Sequence, residues 1–226
     1  MNFRFILTVC FFFIAIKGFS QDATMLLQKV KKKIDRVDDY MATGIMKTDI
    51  VFIKTPVSKI RSYFKSPNQF QIKRDGGLSL LPKKGISINV NSIIPSGGYT
   101  VIDVGTVALM GMQLRMVKLL PVDENNDLVL STLYIDEKQL LIRKVTTTTK
   151  ENGSYEIEMF YGRYSEWGLP DKAIFLFNTQ DYKLPKGITF EYDDGSGKTK
   201  LPKNKKGRIE IVYNSYIINK GAGKIP

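Results

Sequence analysis

Two carboxylate pairs, Glu156/Glu158 and Glu166/Asp171, are the groups in this 226-residue chain that invite a reading as paired acid and base, the device of glycoside hydrolysis. Glu156 and Glu158 flank Ile157 on one strand face, between apolar Ile157 and Met159, and so read better as a solvent-facing row. The chain has no histidine, which excludes a Ser-His-Asp triad. Its single cysteine, Cys10, lies inside an apolar leader. The mature chain is therefore expected to have no thiol nucleophile, no thiolate zinc site and no disulfide. The Asp193-Asp194-Gly195-Ser196-Gly197 stretch is rich in oxygen ligands. It lacks the spaced carboxylates and terminal Glu of a calcium loop, and reads as a hairpin turn. No catalytic residue, metal or cofactor is expected, so the protein is read as not an enzyme.

The elements that would carry a non-catalytic function begin after residue 20. Met1-Asn2-Phe3-Arg4, an apolar run from Phe5 to Ile16 and small residues Gly18 and Ser20 match a signal peptide cleaved near Ser20. The run is too short to anchor in a bilayer. Removing it takes away Arg4 and Lys17 and no acid, so the formal charge falls from +12 to +10 over residues 21–226. An exported protein is expected. No later segment is apolar enough to cross a membrane.

Residues 22–40 place Leu26, Val30, Ile34 and Val37 on one helical face, with Asp22 as a candidate N-cap and Lys31–Lys33 on the solvated side. After Gly44 the period changes to 2. Alternating stretches follow at Met46–Ile53, Ile60–Lys65, Phe70–Lys73, Tyr99–Val104, Leu114–Val122, Leu128–Ile135, Leu140–Thr149, Tyr155–Tyr161, Ala173–Phe177, Ile188–Tyr192 and Arg208–Asn219. About eleven strands, frequent turns and one N-terminal helix predict a mainly β, antiparallel single domain over residues 21–226. Parallel α/β is excluded for want of crossover helices. Residues 78–98 read as long loops. Residues 105–113 read either as a strand entering the core or as a loop or short helix beside an apolar cavity, with Met110 and Met112 as adaptable lining. Trp167, in a strand-to-loop passage, either plugs a barrel end or lines a ligand. The Lys198–Arg208 segment reads first as a solvated basic loop and second as a contact with an anionic surface. Nucleic acid is not expected.

Three short blocks carry a resemblance. They are Phe64-Lys65-Ser66-Pro67-Asn68-Gln69-Phe70; Leu119-Leu120-Pro121 with Tyr134-Ile135-Asp136 and Leu140–Lys144; and Leu169-Pro170 with Leu184-Pro185-Lys186-Gly187. Over residues 22–192 the chain resembles the periplasmic LolA/LolB-like lipoprotein-sorting proteins. The resemblance implies a curved antiparallel sheet, an unclosed β-barrel, whose concave side is covered by the helix. It also implies a cavity for lipoprotein acyl chains or other lipid. The cavity lining would then come from Leu26, Val30, Ile34, Ile50, Phe52, Phe64, Phe70, Met110, Met112 and Trp167. At the family's lid-latching position, usually Arg, this chain has Ser66, and it extends beyond about residue 195 where the family ends. Two other readings stay open: an envelope interaction protein with a filled core and a basic docking tail, and, least favoured, a carboxylate hydrolase.

Overall fold

The computed structural model describes residues 17–50, 53–54, 57–67, 69–75, 93–94, 98–150, 153–178 and 206–221. The leader to residue 16, Phe52, most of the 78–98 stretch, the Ile188–Tyr192 strand, the Leu184–Gly187 block, the Asp193–Gly197 turn and residues 198–205 lie outside them.

One α-helix, α1 (Lys17–Ile34), precedes eleven described strands. These are β1 (Asp39–Ile50), β2 (Ile53–Lys54), β3 (Ser58–Lys65), β4 (Gln69–Arg74), β5 (Tyr99–Leu109), β6 (Met112–Pro121), β7 (Leu128–Asp136), β8 (Leu141–Thr149), β9 (Gly153–Phe160), β10 (Lys172–Asn178) and β11 (Lys206–Ile218). A 3-10 turn, Ser165–Trp167, lies between β9 and β10. All pairings are antiparallel, in the order β4-β3-β1-β11-β10-β9-β8-β7-β6-β5, with β2 folded back on β1. Among the described residues the two ends of this path, β4 and β5, are not paired to each other, so the described sheet is an unclosed barrel.

Alternation sets the faces. Tyr40, Ala42 and Met46 of β1, Ile60 and Phe64 of β3, Tyr155, Ile157 and Met159 of β9, and Ala173, Phe175 and Phe177 of β10 are buried and form one core with Ala23, Leu26, Leu27, Val30 and Ile34 of α1. Flat, ten strands would span roughly 43 Å at about 4.8 Å per strand, several times the ~10 Å width of a helix. A single cluster joining nearly all of them to one helix requires a curled sheet. Register shifts at Thr43/Gly44, Asp103/Gly105, Leu128/Leu130 and Tyr134/Ile135 supply bulges that bend and twist the strands.

Three expectations change. The helix starts at Lys17 and ends at Ile34, so Asp22 lies inside it and is not its N-cap. Val37 is buried as the periodicity implied, but in the turn that leads to β1. Gly44 does not mark the helix–strand boundary; it lies inside β1, at the bulge opposite Tyr213. A Cβ there would meet the Val212 carbonyl oxygen at 2.4 Å, so glycine is needed for close approach. Residues 105–113 are the end of β5, a turn and the start of β6. Met110 and Gly111 occupy that turn at φ 54° and 73°, the left-handed pair a tight hairpin demands.

Candidate functional site

The inner face of the sheet beneath α1 is the candidate site. α1 presents Ala23, Leu26, Leu27, Val30 and Ile34 to it, while Met25, Gln28, Lys29 and Lys32 face away. Polar contacts fasten the helix at both ends of this face. In its second turn, just before the apolar face, the Asp22 carboxylate is 3.6 Å from the Arg115 guanidinium of β6. At its end, Lys33 donates to the Gln139 carbonyl at 2.7 Å, and Arg36 stacks over Trp167 at 5.1 Å while donating to the Glu166 carbonyl at 3.4 Å.

Several of the expected lining residues converge here. Leu26, Val30, Ile34 and Phe64 are buried in the core, and Phe70 and Trp167 are half-buried against it. Phe64 packs on Tyr40 with ring centroids 5.4 Å apart. Met112 is half-buried at the start of β6, whereas Met110 is exposed at the hairpin tip, apart from the others. Ile50 ends β1 with its side chain outside the described residues, as is Phe52. Ser66 follows β3 and is exposed; its amide donates to the Asp38 carbonyl at 2.7 Å, beside the exit of α1. Glu156 and Glu158 lie on the outer face, where Glu156 pairs with Lys144 at 2.9 Å. Lys206–Arg208, expected in a basic loop, open strand β11.

Sequence reasoning missed the charges on this face. Arg115 shares strand parity with buried Val117 and Leu119, so it points inward, and Asp103 shares it with Tyr99 and Val101. The two meet at 2.5 Å, with side chains 14% and 7% exposed. The second Asp103 oxygen accepts the Gly105 amide at 2.9 Å across the bulge. This hydrogen bond from Arg115 to Asp103 raises the guanidinium's pKa further, against the opposing effect of burial. Arg115 Nε is buried without a partner among the described residues. The alternation of Tyr99–Val104 placed Asp103 beside Val101, but only the register of two strands reveals its partner.

A second missed group surrounds the far end of α1. Arg143 donates to Asp136 and to Gln139, each at 2.8 Å, and stands over the Tyr161 ring at 5.4 Å. Burial pushes the Asp136 carboxyl up, but Arg143 and the backbone amides of Gln139 and Lys138 outweigh it, and its pKa is lowered. Burial raises the hydroxyls of Tyr40 and Tyr216, which stack edge-on 5.3 Å apart and stay neutral.

Two solved structures match this architecture along nearly their whole length. One is an outer membrane lipoprotein-sorting protein domain from Vibrio parahaemolyticus, TM-score 0.57 at 9% identity, covering 91% of this chain and 95% of that one. The fold is that of the LolA-like lipoprotein-sorting proteins. The other is a DUF1329 family protein from Desulfovibrio piger ATCC 29098, TM-score 0.53 at 9% identity, covering 90% of this chain and 94% of that one. No protein-family profile matches the sequence, and no curated protein matches it. At such identities the likeness is one of fold, because burial fixes the face of each residue and little else of its chemistry.

Proposed function

We propose that the protein is an exported, non-catalytic carrier that holds acyl chains of lipoproteins or comparable lipids between α1 and the inner face of the sheet. The LolA-like fold supports a carrier of this kind. The observation that carries the reading is the attachment of α1: an apolar face with polar fastenings at its two ends. Five buried aliphatic contacts of Ala to Leu size contribute roughly 8–12 kcal/mol, and about a dozen ligand methylenes return roughly 10. A lipid can therefore take the place of the helix face at nearly balanced cost, which suits loading and release.

The periplasmic destination rests on the leader, and cleavage after Ser20 leaves the last fourteen residues of α1, from Gln21. Asp22 then falls in the first turn, where a negative charge is favourable. Among the described residues no helix is long and apolar enough to cross a membrane.

The test uses the mature chain purified from an exporting cell. Lipid should co-purify and be found in organic extracts by mass spectrometry, and the delipidated protein should take up a fluorescent fatty-acid probe. A protein that carries no lipid and leaves the probe unbound has a permanently filled core, and the carrier reading is then wrong.

A further inference from the structure

Resting on the carrier reading, the charges on the inner face say what is carried. A sheet face that only shelters hydrocarbon has no use for a guanidinium. Yet Arg115 is set there, among Val117, Leu119 and Ile135, and Asp103 and the Gly105 amide hold it in one orientation. Asp103 is nearly buried and fixed in the sheet, so the pair it makes with Arg115 is permanent and formally neutral. Guanidinium presents five N–H donors, and Asp103 accepts from one of its nitrogens. Nε is buried without a partner among the described residues.

The third charge is of a different kind. Asp22 is 64% exposed, belongs to the helix and stands off at 3.6 Å. It leaves with α1. We infer that Arg115 anchors the anionic oxygen headgroup, carboxylate or phosphate, of the carried lipid, and that the Asp22 carboxylate is its stand-in when the protein is empty. The ligand class is then a negatively charged amphiphile whose head binds beside the start of α1 and whose tail lies along the apolar inner face. Asp103 neutralises Arg115 whether or not a ligand is bound, and exchange of the Asp22 carboxylate for an anionic headgroup leaves the sign of the site's charge unchanged.

The test is displacement of cis-parinaric acid from the delipidated mature protein by three competitors of equal chain length: hexadecanol, palmitate and hexadecyl phosphate. At least one anion should displace the probe about tenfold or more better than the alcohol, the worth of one charge-assisted hydrogen bond. The better of the two anions identifies the headgroup. The double variant Arg115→Met/Asp103→Asn, which removes both charges together, should bind all three alike. Asp22→Asn loosens α1 for every ligand but should strengthen displacement by the anions severalfold more than by hexadecanol, and this exposed substitution decides the matter if the double variant does not fold. Equal displacement by all three in the unaltered protein, or an Asp22→Asn effect of the same size for hexadecanol and the anions, overturns the anchor and leaves the carrier reading standing. If the probe does not bind at all, both fall.

Discussion

The side-chain amide of Asn219 donates to the carbonyl of Arg36 at 2.8 Å, joining residues 183 positions apart. Its carboxamide oxygen accepts the amides of Asp38 and Asp39 at 2.8 and 3.3 Å, and its own amide donates to the Asp39 carbonyl at 2.9 Å. The exit of α1 is thereby clasped to the end of β11. Asn219 has φ 53°, a conformation that Asn tolerates better than most residues.

Asn219→Ala should lower stability by about 2 kcal/mol, from lost side-chain hydrogen bonds and an unfavourable φ. Asn219→Gly keeps the backbone conformation and should cost less. Urea unfolding midpoints of the two variants check the order, and equal midpoints would mean that the lost clasp, not the backbone conformation, sets the cost.

The Asp103–Arg115 pair predicts strong non-additivity. Arg115→Met alone leaves a nearly buried carboxylate without its cation and should cost about 3–5 kcal/mol. Adding Asp103→Asn should recover most of that loss. A double-variant cycle by guanidinium unfolding measures the coupling, and simple additivity would show that the two charges do not depend on each other.

Acid should weaken the far fastening of the helix. The Asp136 carboxyl is held below the usual carboxylate value of 3.8, so the unfolded chain binds its proton more readily than the folded one. Its contribution is full above about pH 4 and is lost as pH falls through the lower folded value. Comparing stability against pH for the native chain and Asp136→Asn isolates it; the variant should show a shallower acid slope.

Loosening the helix should improve binding. Leu27 is 2% exposed under α1, so Leu27→Ala weakens the closed state without removing an inner-face residue of the sheet. Fatty-acid affinity should rise about tenfold or more, because the closed state competes with the ligand. Affinity that falls or holds would place the ligand somewhere other than beneath this helix.

Gly207 and Gly44 test the packing of the central strands. A Cβ on Gly207 would lie 2.3 Å from the ring of Phe177, and one on Gly44 would meet the Val212 carbonyl. Gly207→Ala should cost about 1–3 kcal/mol as the ring shifts. Gly44→Ala should cost more, since the obstacle is backbone. Thermal melting of both variants gives the comparison.

The strands were legible because burial on one face imposes a period of two, and β6–β10 lie close to where alternation put them. The helix end was not. Val37 continues the 4-4-3 spacing yet belongs to the turn before β1, and burial alone cannot distinguish the two. The Met110-Gly111 hairpin was hidden in an apolar run, where only backbone conformation marks the turn. At the site, Val30, Ile34 and Phe64 followed from periodicity. Arg115 and Asp103 did not, because their meeting depends on the β5–β6 register and its bulge.

β11 has β1 on one side and β10 on the other. The first and last described strands are therefore neighbours in the middle of the sheet, and β11 joins β1 and β3–β4 to the β5–β10 meander. Until the C-terminal residues arrive, the two halves share no strand pairing among the described residues, and the long loop this closure requires makes it slow. The topology thus delays completion of the sheet until its last described strand is in place.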